Sequence, residues 1–252
     1  MVHNEDFIIA NKTSWDEVAP RFFGRTALPT YGPFAPDENE LKLFGDISGR
    51  KVLDIGCGSG HSLAYMASRG AAELWGLDLS DTQIATARTL LEAYSAKVKQ
   101  LYQSPMENNP GIPQNYFDIV YSIYAIGWSV DLAQTLRHVH AYLKPGGTFV
   151  FSWEHPFHNR IMNVDGHFVI ARSYHEEGLY QSEAWHDRHA IMNQIKLSTY
   201  INLLVETGFR ITQVVEDAVV PEDAERGNLS RWYPAEKAEL IPAAFIVKCM
   251  KS

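Results

Sequence analysis

The sequence predicts an α/β fold in which a mostly parallel sheet carries helices on both faces. Two observations predict it. From residue 51 to residue 153, short apolar or β-branched runs alternate with helix-length segments, a pattern that requires crossover connections and therefore parallel strands. Two of those runs also end in distinctive polar punctuation. VLDIGCGSG (52–60) leads from an apolar strand through Asp54 into the alternating glycines Gly56, Gly58 and Gly60, and LWGLDLS (74–80) ends in Asp78.

Taken in order, Lys51–Ile55 reads as a strand, His61–Ser68 as a helix and Glu73–Asp78 as a second strand. Ser80 is placed to cap a helix over 81–94, because its hydroxyl can accept from the first free amides. Residues 97–102, 117–122 and 148–153 are further apolar or aromatic strand runs. Between the last two, 131–143 reads as a helix stopped by Pro145 and Gly146. A helix over Leu197–Thr207, stopped by Gly208, precedes a strand at Phe209–Val215 and a last strand over 243–250. Two regions depart from the alternation. Residues 157–195 carry five histidines, several aromatics and the hairpin-like stretch GHFVIARSY, and read as an insertion placed over the pocket as a lid. Residues 14–35 read as a short amphipathic helix and a Pro/Gly-rich strap, and 221–239 as polar loop.

Composition narrows the possibilities. A chain of 252 residues fits one α/β domain, and the expectation is a single domain over 1–252, with 1–44 as N-terminal helix and strap. Thirty acidic against 22 basic residues give a net charge of −8 with no Lys/Arg run, which disfavours a nucleic-acid partner. No segment approaches the roughly 18 apolar residues of a membrane span, so no membrane is expected and a cytoplasmic protein is the default. Cys57 and Cys249 suggest neither a disulfide framework nor a metal. The sequence assigns no oligomeric state.

Glycines after a strand let the backbone pass close under a ligand, and they aim helix amides at it. An acid at the tip of the next strand can accept from both hydroxyls of a ribose. This layout is a nucleotide site. The dinucleotide fingerprint G-x-G-x-x-G/A fails, because the final position counted from Gly56 is His61.

Residues 52–60, Asp78, the segment NYFDIVYSIYAIGW (115–128) and LKPGGTFVFSWEHP (143–156) together resemble class I S-adenosylmethionine (SAM)-dependent methyltransferases, in the small-molecule group that includes quinone-biosynthesis enzymes. The resemblance implies a Rossmann-like, seven-stranded, mostly parallel sheet with helices on both faces, an antiparallel last strand and a lid insertion after the fifth strand. It further implies SAM as cofactor, held by Asp54, Gly56, Gly58, Gly60 and Asp78, with Leu79 against the adenine, Ser122 nearby and the strap around Tyr31 closing over it. Relatives often carry an acid after the third strand for the adenine amino group. Here Ser104 or Pro105 stands in its place, which leaves Glu107 and the Met106 amide as candidates.

Glu154 and His155 follow the fifth strand, where an acceptor should sit, and either could remove its proton. A turn that merely ends the strand is the alternative. Tyr124, Trp128 and Trp153 are candidate substrate walls. His158, His186 and His189 lack a metal-ligand spacing, so no metal is expected. The expected function is methyl transfer to a small-molecule acceptor at oxygen, nitrogen or carbon. A methyltransferase for a modified tRNA base, or a SAM-binding regulator without turnover, are the alternatives.

Overall fold

A computed structural model describes residues 4–24, 26–185 and 188–252. The apolar runs assemble into one seven-stranded sheet: β1 (Lys51–Ile55), β2 (Glu73–Asp78), β3 (Val98–Gln103), β4 (Phe117–Ile123), β5 (Leu143–Glu154), then, after two short hairpins, β10 (Phe209–Val215) and β11 (Ala244–Lys251). The hairpins are β6 (Ile161–Val164) with β7 (His167–Ile170), and β8 (Gly178–Trp185) with β9 (Arg188–Gln194). Strand order in the sheet is β10-β11-β5-β4-β1-β2-β3. β1 through β5 run parallel to one another, while β11 is antiparallel to both β5 and β10. The chain builds outward from β1 through β2 and β3, then crosses to β4 and β5 on its other side. The switch point, where ligands bind in such sheets, therefore lies at the carboxyl ends of β1 and β4.

The helices are α1 (Asn4–Val18), α2 (Glu38–Leu41), α3 (His61–Ser68), α4 (Asp81–Leu90), α5 (Leu132–Tyr142), α6 (Leu197–Thr207) and α7 (Ala235–Ala238). Central strands bury both faces, as parallel strands under helices on both sides must. Along β5 the two-residue period separates Phe149 and Phe151, packed with Val139, Tyr200 and Leu204, from Val150, packed with Leu63, Met66 and Ile84 on the opposite side.

Three local expectations shift. The helix expected over 81–94 ends at Leu90, and Glu92–Tyr94 follows as a tighter 3-10 turn. The helix expected over 131–143 stops at Tyr142, because Leu143 already pairs with Phe117 and the Pro-Gly-Gly stretch continues as extended chain. The N-terminal helix is longer and earlier than expected: among the described residues it covers Asn4–Val18, with Glu5 and Asp6 favourably placed in its first turn, and Pro20 falls in the 3-10 turn that follows it. The segment 221–239 also contains α7. Among the described residues, no helix is long and apolar enough to cross a membrane.

Helix α1 lies against β9 through a reciprocal pair. The Asn11 amide donates to the Ile191 carbonyl at 2.8 Å and accepts from the Ile191 amide at 2.8 Å. A second anchor runs to α4: Asp16 accepts from the Ser80 hydroxyl at 2.6 Å and the Thr82 amide at 3.2 Å, and Lys12 bridges Asp16 and Asp81.

Candidate active site

At the carboxyl ends of β1, β2, β4 and β5 the structure holds a cavity of about 810 Å³. Its floor is the loop leaving β1. The Gly56 and Cys57 amides donate to the Leu77 carbonyl at 2.7 and 2.9 Å, folding the loop back over β2. Gly56 (φ +77°) is packed so that a Cβ would overlap the Ala125 Cβ, whereas a Cβ on Gly58 would meet nothing closer than Gln83 Oε1 at 3.9 Å. Gly58 thus borders open cavity and Gly56 borders protein. Gly56→Ala is expected to cost about 1–3 kcal/mol of stability through strain and overlap. Gly58→Ala should cost less stability but weaken S-adenosylhomocysteine (SAH) binding. Urea unfolding and calorimetry on both variants check the contrast, and equal stability losses would contradict it.

Asp78 ends β2 at the cavity wall. Its Oδ2 accepts from the Gly58 amide at 2.8 Å and its Oδ1 from the Ser80 amide at 2.9 Å. Burial pushes its carboxyl up to about 6, with the charge of Asp16 adding to the shift and the amides opposing it. Each carboxylate oxygen keeps a further lone pair for a ligand hydroxyl. Asp54 is buried behind the loop, off the cavity wall, and burial raises its carboxyl well above the ordinary range. The Tyr121 hydroxyl faces it and opposes that shift.

Beyond Asp78 the wall continues through Leu79, Ser104, Pro105, Met106 and Glu107. Glu107 Oε1 is taken by the Ser129 hydroxyl (2.9 Å) and the Val130 amide (2.6 Å), so that oxygen serves the β4–α5 loop. The far end is aromatic. Tyr124 is held in the left-handed region (φ +52°), its ring centroid is 5.2 Å from that of Trp153, and its hydroxyl is 2.7 Å from that of Tyr233. Trp153 meets Trp128 edge-on at 5.9 Å, and Trp128 in turn meets Trp15 of α1 at 5.3 Å. Gly127 makes room for this, since a Cβ there would overlap the Trp153 indole. Glu154 closes this end and is 3% exposed.

The structure therefore brings together on one wall Gly56, Gly58, Asp78, Leu79, Met106, Glu107, Tyr124, Trp128, Trp153 and Glu154. It places Tyr31, Asp54, Gly60, Ser122 and His155 behind that wall. Tyr31 is fully buried with its hydroxyl on Glu38, while its neighbours Thr30, Gly32 and Pro33 line the cavity. Gly60 packs α3 against Ala87 of α4, and Ser122 is buried within β4. His155 accepts from the Phe157 amide on Nδ1 (3.2 Å), which leaves Nε2 to donate to Glu216 Oε1 (2.7 Å). Wall residues that sequence reasoning missed are Asn11 and Trp15 of α1, Met192 of β9, and Trp232 and Tyr233. The last pair had a signal, two adjacent aromatics in an otherwise polar stretch. Among the described residues no group of three or more His, Cys, Asp or Glu could hold a metal, and His186 lies outside them.

The residues fit an adenosyl group: a carboxylate with spare lone pairs, a glycine edge open to the cavity and the apolar side chains of Leu79 and Met106 on its lining. A site of this make at the switch point of a sheet in this order is that of a SAM-dependent methyltransferase. Residues 34–214 match a family described as methyltransferase domain, and the chain belongs to that family. An uncharacterized protein of Haemophilus influenzae is 30% identical over 188 residues, 70% of this chain and 73% of that one. A ubiquinone biosynthesis O-methyltransferase of Pseudomonas aeruginosa is 35% identical over 109 residues, 42% of this chain, which thus spans 45% of that enzyme's length. A SAM-dependent methyltransferase of Mesorhizobium loti matches in structure with a TM-score of 0.69 at 29% identity, covering 84% of this chain and 95% of that one. The protein is an enzyme, and its cofactor is SAM.

Proposed function

We propose that the enzyme transfers the methyl group of SAM to a small molecule held between the aromatic wall and Glu154. One observation carries this reading. A single cavity runs from the glycine loop and Asp78 to Trp128, Trp153 and Glu154, and its volume of about 810 Å³ is that of a small-molecule site. SAM supplies a methyl already activated on sulfur, so the chain's own work is positioning and, where the acceptor carries a proton, its removal. Asp78 holds the ribose, Leu79 and Met106 flank the adenine, and Asp54 supports the loop from behind. Glu154, on the wall at the acceptor end, takes the proton. The net charge of −8, and walls without Lys or Arg among the described residues, speak against a tRNA acceptor. Incubation with methyl-labelled SAM, a panel of small amines, phenols and carboxylates, and total tRNA tests the reading. Label is expected in the small-molecule fraction, and label on tRNA would overturn it.

The segment 157–195 and helix α1 are proposed to act together as the cover, since Asn11, Trp15 and Met192 all reach the wall. Asn11→Leu strands a buried amide and carbonyl of Ile191, at a cost of about 1–3 kcal/mol. Amide exchange of both α1 and β9 should accelerate in this variant, and SAH should restore less protection than in the wild type. Acceleration confined to α1 would separate the two segments.

A further inference from the structure

The three carboxylates on the cavity wall are not equivalent, and among the described residues no lysine or arginine shares that wall with them. Asp78 is met by two backbone amides, and Glu107 by a hydroxyl and an amide. Glu154 is 97% buried, being 3% exposed, and its Oε1 has no hydrogen-bond partner. The cations it could pair with are engaged or absent. His158 Nδ1 stands 3.6 Å from Oε1, within ion-pair reach but beyond hydrogen-bond distance, and burial lowers the pKa of that imidazole against the pull of Glu154, which disfavours its charged form. Lys237 lies within the field of Glu154 but behind the wall. It donates to the Ile161 carbonyl at 2.7 Å, and burial lowers its ammonium to about 8. His155 is occupied by Glu216.

A buried carboxylate short of donors is costly, and what offsets that cost best is a cation bearing N–H groups. The surroundings favour the same occupant. Tyr124 and Tyr233 both lie in the field of Glu154, and with Trp128 and Trp153 they offer aromatic faces, which attract a cation. A carboxylate or phosphate at this end would instead face a like charge across a low-dielectric gap.

We infer that the methyl acceptor is an amine: a small molecule whose basic nitrogen enters as an ammonium, pairs with Glu154 and rests on the Tyr124, Trp128, Trp153 and Tyr233 rings. The inference rests on the small-molecule reading above. In the step itself an N–H proton passes to Glu154 and frees the nitrogen lone pair. The N–C bond then forms as the C–S bond breaks, its electron pair staying on the sulfur of SAH, and Glu154 afterwards returns its proton to water.

Calorimetry on the SAH-loaded protein tests this with three probes of one shape: 2-phenylethylamine, 2-phenylethanol and phenylacetate. The amine should bind about tenfold or more tighter than the alcohol, and phenylacetate more weakly than either. Glu154→Gln should erase the amine's advantage while the alcohol stays within about twofold. Equal binding of amine and alcohol to the wild type, or tighter binding of phenylacetate, overturns the inference, and this comparison stands even if Glu154→Gln fails to fold. A variant that loses SAM but not SAH affinity, with amine binding unchanged, also overturns it, by assigning the carboxylate to the sulfonium. Failure of SAH itself to bind the wild type would instead sink the cofactor-site assignment beneath it.

Discussion

Asp78→Asn should weaken SAH binding by about 10²-fold, and it should flatten a pH dependence that the wild type shows. Two hydroxyl bonds to a carboxylate contribute about 1.5–3 kcal/mol each, and an amide in its place offers one acceptor oxygen where two are needed. Since Oδ1 and Oδ2 already orient Ser80 and Gly58, the substitution also turns an NH₂ group against one of those amides. The pH argument follows from the carboxyl's position near 6 in the free protein, where burial favours the neutral acid. Ribose hydroxyls donate to the charged form and would draw that value down in the complex. Binding is then strongest where Asp78 is already ionised. Affinity should level off above pH 6 and fall by up to about tenfold per pH unit below it, with proton release on binding in that range. Calorimetry from pH 5 to pH 8 in two buffers measures both quantities. A wild-type affinity independent of pH, or an Asp78→Asn variant that binds normally, would remove Asp78 from the ribose.

Glu154→Gln should lower turnover of an amine acceptor by about 10² or more while SAH affinity holds, since a positioned base contributes roughly 10²–10⁴. His155→Asn should behave differently. Both imidazole nitrogens are committed, to Phe157 and to Glu216, and the ring stands off the cavity wall. Turnover should therefore stay within about threefold of the wild type, with the loss appearing in melting temperature as the turn after β5 loosens. Loss of turnover in His155→Asn with unchanged stability would move the base from Glu154 to His155.

The fold was legible because its signals are local. Apolar runs, Ser80 at a helix start and glycines at the exit of β1 each act within a few residues, and the strands, α3 and the loop lie where those signals put them. The wall was legible only in part. Glu154 ends β5 and His155 begins the turn after it, and since Trp153 and Glu154 both reach the cavity while His155 does not, strand alternation alone could not show which of the pair faces it. Tyr31 likewise turns into the core while its neighbours Thr30, Gly32 and Pro33 line the cavity, in a loop with no regular period to read. Asn11 and Met192 were illegible for another reason. Their places depend on pairings across the whole chain, such as Asn11 with Ile191, 180 positions away, and no window of sequence contains both partners. Tyr124 carried no warning of its left-handed backbone, which an aromatic residue adopts at a cost of about 1–2 kcal/mol and which the packing around Trp153 must sustain.

That long-range pairing bears on how such an enzyme changes over generations. Trp15 meets Trp128 edge-on, and Asn11 grips β9 beside Met192, so substitutions in the first helix would reshape the end of the cavity proposed for the acceptor without touching a strand of the sheet. Selectivity could thus drift at Asn11 and Trp15 while the proposed nucleotide half, built from segments between residues 51 and 107, is left intact, as long as Lys12 and Asp16, which hold the start of α4, are kept. A library confined to the cavity-facing positions of α1 is then the economical place to look for altered acceptor preference.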